Sequence, residues 1–184
     1  MGRYPNTSNS SGGVVTGPTY AYSFDAIARP SGLTENVTQP MVQSVAYNAA
    51  SQITSMQYLQ TTGGPTWLTE TRQYNERLQM NLQTVAPSGG GAALMDLRYN
   101  YHATQNNGRI TSMQDLVSGE TVTYQYDELQ RLTSASTATW GNSYTFDGFG
   151  NLLSKTVTGG SAPSLSINVD GNTNRITTGG YAYL

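Results

Sequence analysis

Along this chain two aromatic residues stand two apart, an Asp or Asn follows, and a few residues later an alternating run resumes. Tyr124-Gln-Tyr126-Asp127-Glu-Leu-Gln-Arg131-Leu132-Thr133 shows the pattern in full. Side chains two apart on an extended chain share a face, so Tyr124 and Tyr126 lie on one side of a strand. Aromatic residues favour strands because they pack on a pleated surface. Asp127 ends that strand: a short Asp or Asn side chain accepts backbone N–H groups two residues on and starts a turn. Leu132-Thr133 then alternates as a returning strand. The predicted element is a β-hairpin with a loop of about three to four residues.

The pattern recurs. Tyr144-Thr-Phe146-Asp147-Gly-Phe-Gly150-Asn151-Leu152 and Tyr22-Ser-Phe24-Asp25-Ala-Ile-Ala-Arg29 are close copies. Looser copies run from Val45 to Thr54, around Tyr47-Asn48, and from Arg72 to Leu78, around Tyr74-Asn75. The copy from Tyr99-Asn100 to Gly108-Arg109 carries an insertion, and Asp170 to Arg175 carries one extra residue. The anchors at 25, 48, 75, 100, 127, 147 and 170 are spaced by 23, 27, 25, 27, 20 and 23 residues. Constant hairpins joined by connections of variable length give such spacing; a rigid helical solenoid does not. Ile53-Thr-Ser-Met-Gln57 returns verbatim as Ile110-Thr-Ser-Met-Gln114, which points to duplication.

A lone hairpin buries too little to hold itself, whereas hairpins stacked edge to edge gain ladder bonds and cross-strand aromatic pairs. The expected fold is all-β: stacked antiparallel hairpins forming a twisted, curved repeat sheet. Residues 20–184 read as an array of about seven units, and Tyr181-Ala-Tyr183-Leu184 as the first strand of an eighth. Residues 1–19 read as a flexible leader, because Asn6 to Gly13 are almost all Ser, Asn, Thr and Gly.

Charge is scarce. Charged residues make up 11% of the chain, against about 25% in an ordinary protein. Asp25, Asp127, Asp147 and Asp170 nevertheless occupy anchors, and Arg29, Arg109, Arg131 and Arg175 close turns. The reading is a local Asp–Arg pair across each hairpin mouth, with a geometric role. Gly108 and Gly150 suit a loop position needing positive φ. Ala28, Ser51 and Gln130 hold that place in other copies, which must strain or use another turn.

Several function classes drop out. Cysteine is absent, so there is no disulfide scaffold and no thiol nucleophile. A net charge of -2 gives no footprint for nucleic acid or anionic membrane. No apolar run approaches the roughly 20 residues of a membrane-spanning helix. No positively charged start with an apolar core follows Met1. His102 is the single histidine and no Gly-x-Ser-x-Gly elbow accompanies it, so no catalytic residue is assigned. Asp170-Gly-Asn172-Thr-Asn174 opens like a calcium loop, but Arg175 stands where Gly is needed and Tyr181 where Glu is needed. No metal or cofactor is therefore expected. Gly89-Gly-Gly91 lacks the Lys-Ser/Thr of a phosphate loop and reads as a linker. Trp67 and Trp140 are candidates for stacking a sugar ring, with sheet packing as the plainer reading.

The motifs at 124–133 and 144–152 resemble the YD repeats of RHS-repeat proteins, a family that includes bacterial polymorphic toxins, toxin-complex subunits and teneurins. The resemblance extends, more loosely, from Tyr20 to Leu184. It implies a partial β-shell: a spiralling wall of hairpins that, in full-length members, closes around a toxic C-terminal domain or serves adhesion. On this basis the motif residues Tyr22, Asp25, Arg29, Tyr47, Asn48, Tyr74, Asn75, Tyr99, Arg109, Tyr124, Tyr126, Asp127, Arg131, Tyr144, Asp147, Gly150, Asp170 and Arg175 are structural. The resemblance implies a non-enzymatic wall segment of a secreted or surface bacterial protein. About seven units are too few to close a large shell, so the chain reads as a piece of a longer array or a short remnant. Its expected partners are neighbouring repeats, and a second copy through open sheet edges. The alternative is a module that binds carbohydrate or protein on its aromatic face, with a glycan as partner.

Overall fold

The computed structural model describes residues 2–3, 7–8, 14–15, 17–36 and 38–179. The eighth-unit strand expected at 181–184, and most of the leader expected at 1–19, lie outside the described residues. Every regular element among the described residues is a strand, as the period-two pattern requires. The chain divides into two compact units, Met1–Leu97 and Arg98–Leu184.

In the first unit lie β1 (Gly2–Arg3), β2 (Thr7–Ser8), β3 (Val14–Val15), β4 (Thr19–Phe24), β5 (Pro30–Glu35), β6 (Gln39–Tyr47), β7 (Ile53–Gln60), β8 (Thr66–Tyr74) and β9 (Met80–Pro87). Strands β1-β4-β5-β6-β7-β8-β9 pair in that order, all antiparallel, while β2 pairs with β3. Strand β10 (Met95–Tyr101) carries the boundary between the units. The second unit contains β11 (Ile110–Asp115), β12 (Glu120–Tyr126), β13 (Leu132–Ser136), β14 (Gly141–Phe146), β15 (Leu152–Gly159) and β16 (Leu165–Ser166), again antiparallel neighbours in sequence order. This is the stacked-hairpin sheet that the repeat pattern predicts. The verbatim pentapeptide opens a returning strand in both places, β7 and β11.

Burial alternates with period two. On β12, Val122 is buried and Tyr124 and Tyr126 half-buried, while Thr121, Thr123 and Gln125 are exposed. Full burial is rare: among the described residues only Leu68, Glu70 and Val85 in the first unit and Val122, Ala135 and Gly141 in the second reach it. The hairpins therefore depend on lateral contact with their neighbours more than on a deep core. Five of the hairpins also carry a bulge at one fixed place. Tyr126 faces Leu132 but Gln125 faces Ser134, so Thr133 is an extra residue on the returning strand. Ser31, Thr54, Asn81 and Leu153 are the extra residues at the matching positions.

Candidate functional site

The chemistry of this chain is concentrated at the hairpin mouths, where one anchor side chain closes a five-residue loop. At Asp127 the backbone N–H donates to Arg131 O, and Gln130 N–H donates back to Asp127 O, each at 3.0 Å. Three residues lie between that closing pair, a frequent hairpin loop that ends on one residue of positive φ. Asp127 Oδ1 accepts the Arg131 N–H at 2.9 Å, and Oδ2 accepts Arg131 Nε at 2.7 Å. At Asp25, Oδ1 takes the N–H groups of Ile27 and Arg29 at 3.0 and 2.9 Å, and Oδ2 takes Arg29 Nε at 2.7 Å. Asp147 accepts Phe149 and Asn151 N–H groups at 2.9 Å each and the Asn151 amide at 2.8 Å.

The asparagine anchors keep this geometry and reverse the polarity of one bond. Asn48 Oδ1 accepts the N–H groups of Ala50 and Gln52 at 3.0 Å each, but its Nδ2 donates to Gln52 Oε1 at 3.0 Å. Asn75 repeats this, with Nδ2 donating to Gln79 Oε1 at 2.7 Å. A carboxylate can only accept, so its partner four residues on is a donor, Arg or Asn; an anchor amide that must donate faces an accepting Gln. The expected Asp–Arg pair is thus present at Asp25–Arg29 and Asp127–Arg131. At Asp170 the loop is one residue longer, closing on Arg175 O, and the carboxylate binds Asn172 and Thr173 instead.

The positive-φ position is occupied in every regular loop. Ala28, Ser51, Leu78 and Gln130 take φ of 63, 60, 62 and 65° where Gly150 takes 92°. The non-glycine copies therefore keep the same turn and accept a left-handed residue. Hydrogen bonds also tune the anchors. The Arg131 backbone N–H, with its guanidinium, holds the Asp127 carboxyl below the usual carboxylate value. The Arg29 N–H does the same for Asp25, and the Asn151 amide for Asp147.

A second set of contacts joins each hairpin to the next. Arg131 lays its guanidinium over the Phe146 ring, 5.0 Å from the centroid, and donates from Nη1 to Asp147 O at 2.8 Å. Arg109 lies 5.3 Å over Tyr126 and reaches Asp127 O; Arg29 lies 4.2 Å over Tyr47. Gln52 reaches Leu78 O with its Nε2 at 2.8 Å. In return, the tyrosine before three of the anchors donates its hydroxyl backwards: Tyr47 to Pro30 O at 2.6 Å, Tyr74 to Ile53 O and Tyr126 to Ile110 O at 2.9 Å. The returning strand's first carbonyl is the acceptor each time.

Other predicted residues take plainer places. Tyr99 and Tyr144 stand near Tyr124, whose phenol is pushed up first by burial and then by the neighbouring phenols. Tyr22 is largely exposed beside Leu33 and Val42. Trp67 and Trp140 are both half-buried, and the Trp140 indole N–H is taken by Glu120 Oε1 at 2.8 Å. Sequence reasoning missed Gln52 and Gln79 as clasp partners, although their spacing from Asn48 and Asn75 carries the signal. It also missed Glu70, a buried acid on β8 held by Arg72 Nε at 2.5 Å and Gln83 Nε2 at 2.7 Å. Strand position alone gave no cue to that network. Among the described residues no cluster of acidic, His or Cys side chains suits a metal ion.

Residues 106–139, which include the Asp127 clasp and both of its strands, match the family described as RHS Repeat. That segment carries an RHS repeat. No curated protein matches it. Among solved structures it is similar to TcdB2-TccC3 without hypervariable C-terminal region, at a TM-score of 0.68 and 18% identity. That likeness covers 93% of this chain and 10% of the other, so the chain spans about a tenth of the length of the solved chain it matches. At this identity the likeness establishes the fold: an all-β sheet of antiparallel hairpins.

Proposed function

We infer that the chain is a non-enzymatic wall segment of a longer RHS-repeat protein, secreted or displayed at the bacterial surface, whose full wall encloses a toxic domain. The observation that carries this reading is the inter-hairpin ladder. At Gln52 and Arg109 the residue that closes one loop also binds the next, and the next tyrosine binds back. Such contacts extend by addition, and each repeat stabilises its neighbours. The motif carboxylates of Asp25, Asp127 and Asp147 are engaged by their own turns, which favours a structural role over acid–base chemistry. Cryo-electron microscopy of the full natural gene product tests the proposal. The expected result places these hairpins within a continuous wall around an interior domain. A separate module projecting from the particle would overturn it.

A further inference from the structure

On the rim opposite the Asp127 mouth, the turn between β11 and β12 stands beside the turn between β13 and β14. The Trp140 indole N–H donates to Glu120 Oε1 at 2.8 Å and ties the two turns together. They border a cavity of about 590 Å3, whose lining includes Ser118, Glu120, Thr121, Thr137 and Thr139. Small-molecule sites occupy about 300–1,000 Å3.

Glu120 is the one charged residue of that lining, and it is half-buried. Other acids have a cation at hand: Asp25 has Arg29, Glu70 has Arg72 and Asp127 has Arg131. Among the described residues no arginine or lysine pairs with Glu120; its carboxylate receives the neutral indole. Directly across the ladder stands Asp115, a second acid, held by Val117 and Ser118 of its own turn. Like charges placed opposite each other destabilise a strand pair, and a partly buried charge needs a partner. The Glu120 charge is felt further off: the Tyr124 phenol is pushed up first by burial, then by neighbouring phenols and by Glu120.

The cavity therefore suits a cation, and its oxygens narrow the kind. Calcium takes about six to eight oxygen ligands, several of them carboxylate; a single carboxylate lines this cavity. A guanidinium prefers both oxygens of a carboxylate, and the indole already occupies Oε1. An ammonium is a compact charge with donors to distribute over separate acceptors. Glu120 Oε2 and the hydroxyls of Thr121 and Thr139 supply them. We propose that this cavity binds a primary alkylammonium ion, its charge on Glu120 and its remaining N–H groups on the threonine hydroxyls.

Titration of the whole chain by NMR with n-butylammonium, Nα-acetyl-lysine amide, tetramethylammonium and methylguanidinium tests this. At least one of the two primary amines saturates with a dissociation constant on the order of 1 mM. The tighter of the two tells a free amine from a lysine side chain. Tetramethylammonium, which has the charge but no N–H, and methylguanidinium each bind about tenfold more weakly or worse. Glu120→Gln keeps an oxygen for the Trp140 indole and removes the charge. It weakens the amine about tenfold or more, while the melting temperature reports an intact fold. Should that variant unfold, Thr121→Val, a change of similar shape at an exposed position, decides with a loss of about threefold or more. Absence of saturation by either amine overturns the proposal. So does tetramethylammonium or methylguanidinium matching them, or wild-type affinity in the variant that decides.

Discussion

The loops at Asp127 and at Asn48 have the same backbone and opposite bonding logic. Both anchors take the N–H of the residue four positions on through Oδ1, and both are followed by a left-handed residue, Gln130 or Ser51. One then accepts from a guanidinium, while the other donates to an amide oxygen. The loop therefore selects for donor–acceptor complementarity between the anchor and its partner, and charge is optional. This explains how a chain with 11% charged residues holds so many identical turns. It also shows why the partner matters twice. Arg131 and Gln52 each continue to a carbonyl of the following hairpin, Asp147 O or Leu78 O.

Removing an anchor gives the largest expected effect. Asn48→Ala deprives two N–H groups of their acceptor and costs about 1–2 kcal/mol, the scale of a lost cap. Asp127→Ala is expected to lower the thermal midpoint further, because the bond it removes from Arg131 is charge-assisted and the one lost at Gln52 is not. Equal losses in the two variants would break the contrast.

Acid separates the loops next. The Asp25, Asp127 and Asp147 carboxyls are held below their ordinary value in the folded chain. Groups depressed in this way stabilise the fold above the unfolded pKa, and the contribution fades as pH falls through the folded one. Hydrogen exchange followed from neutral pH to below about pH 4 is expected to show these loops opening. The loops at Asn48 and Asn75, whose anchors have no proton to gain, keep their protection.

The backward tyrosine bonds come next. Tyr74→Phe and Tyr126→Phe each remove one hydroxyl donor from a carbonyl and should cost about 1 kcal/mol by denaturant unfolding, whichever polarity the neighbouring clasp has. The smallest effect is a gain. Leu78→Gly and Gln130→Gly relieve a left-handed residue and should each add about 0.5–1 kcal/mol. Leu78 is 55% exposed, so little packing is lost there.

Much of this was legible in the residues. Tyr-x-Tyr-Asp specifies a strand, a shared face and a turn through purely local rules, and the order of the hairpins follows from adjacency. The Asp25–Arg29 and Asp127–Arg131 pairs were legible for the same reason: four residues bring them together. The Asn–Gln clasps were not read, because an amide can donate or accept and sequence does not show which it will do. The left-handed conformation of Leu78 was not read, and at Ala28, Ser51 and Gln130 the sequence left strain or another turn open; closure of the loop overrides the side-chain preference. Glu70, with Arg72 and Gln83, depends on register between β8 and β9, which no local motif encodes. The loop around His102 escaped for a related reason. A histidine nitrogen there does the work of an anchor oxygen.

The central claim is that each clasp is a donor–acceptor lock rather than an ion pair. A thermal double-mutant cycle at Asp127 and Arg131 tests it most directly. Asp127→Asn alone sets an amide donor against a guanidinium donor and should lower the midpoint. Adding Arg131→Gln rebuilds the pairing found at Asn48 and Gln52 and should recover most of that loss. A double variant as unstable as the sum of its two single changes would contradict the account.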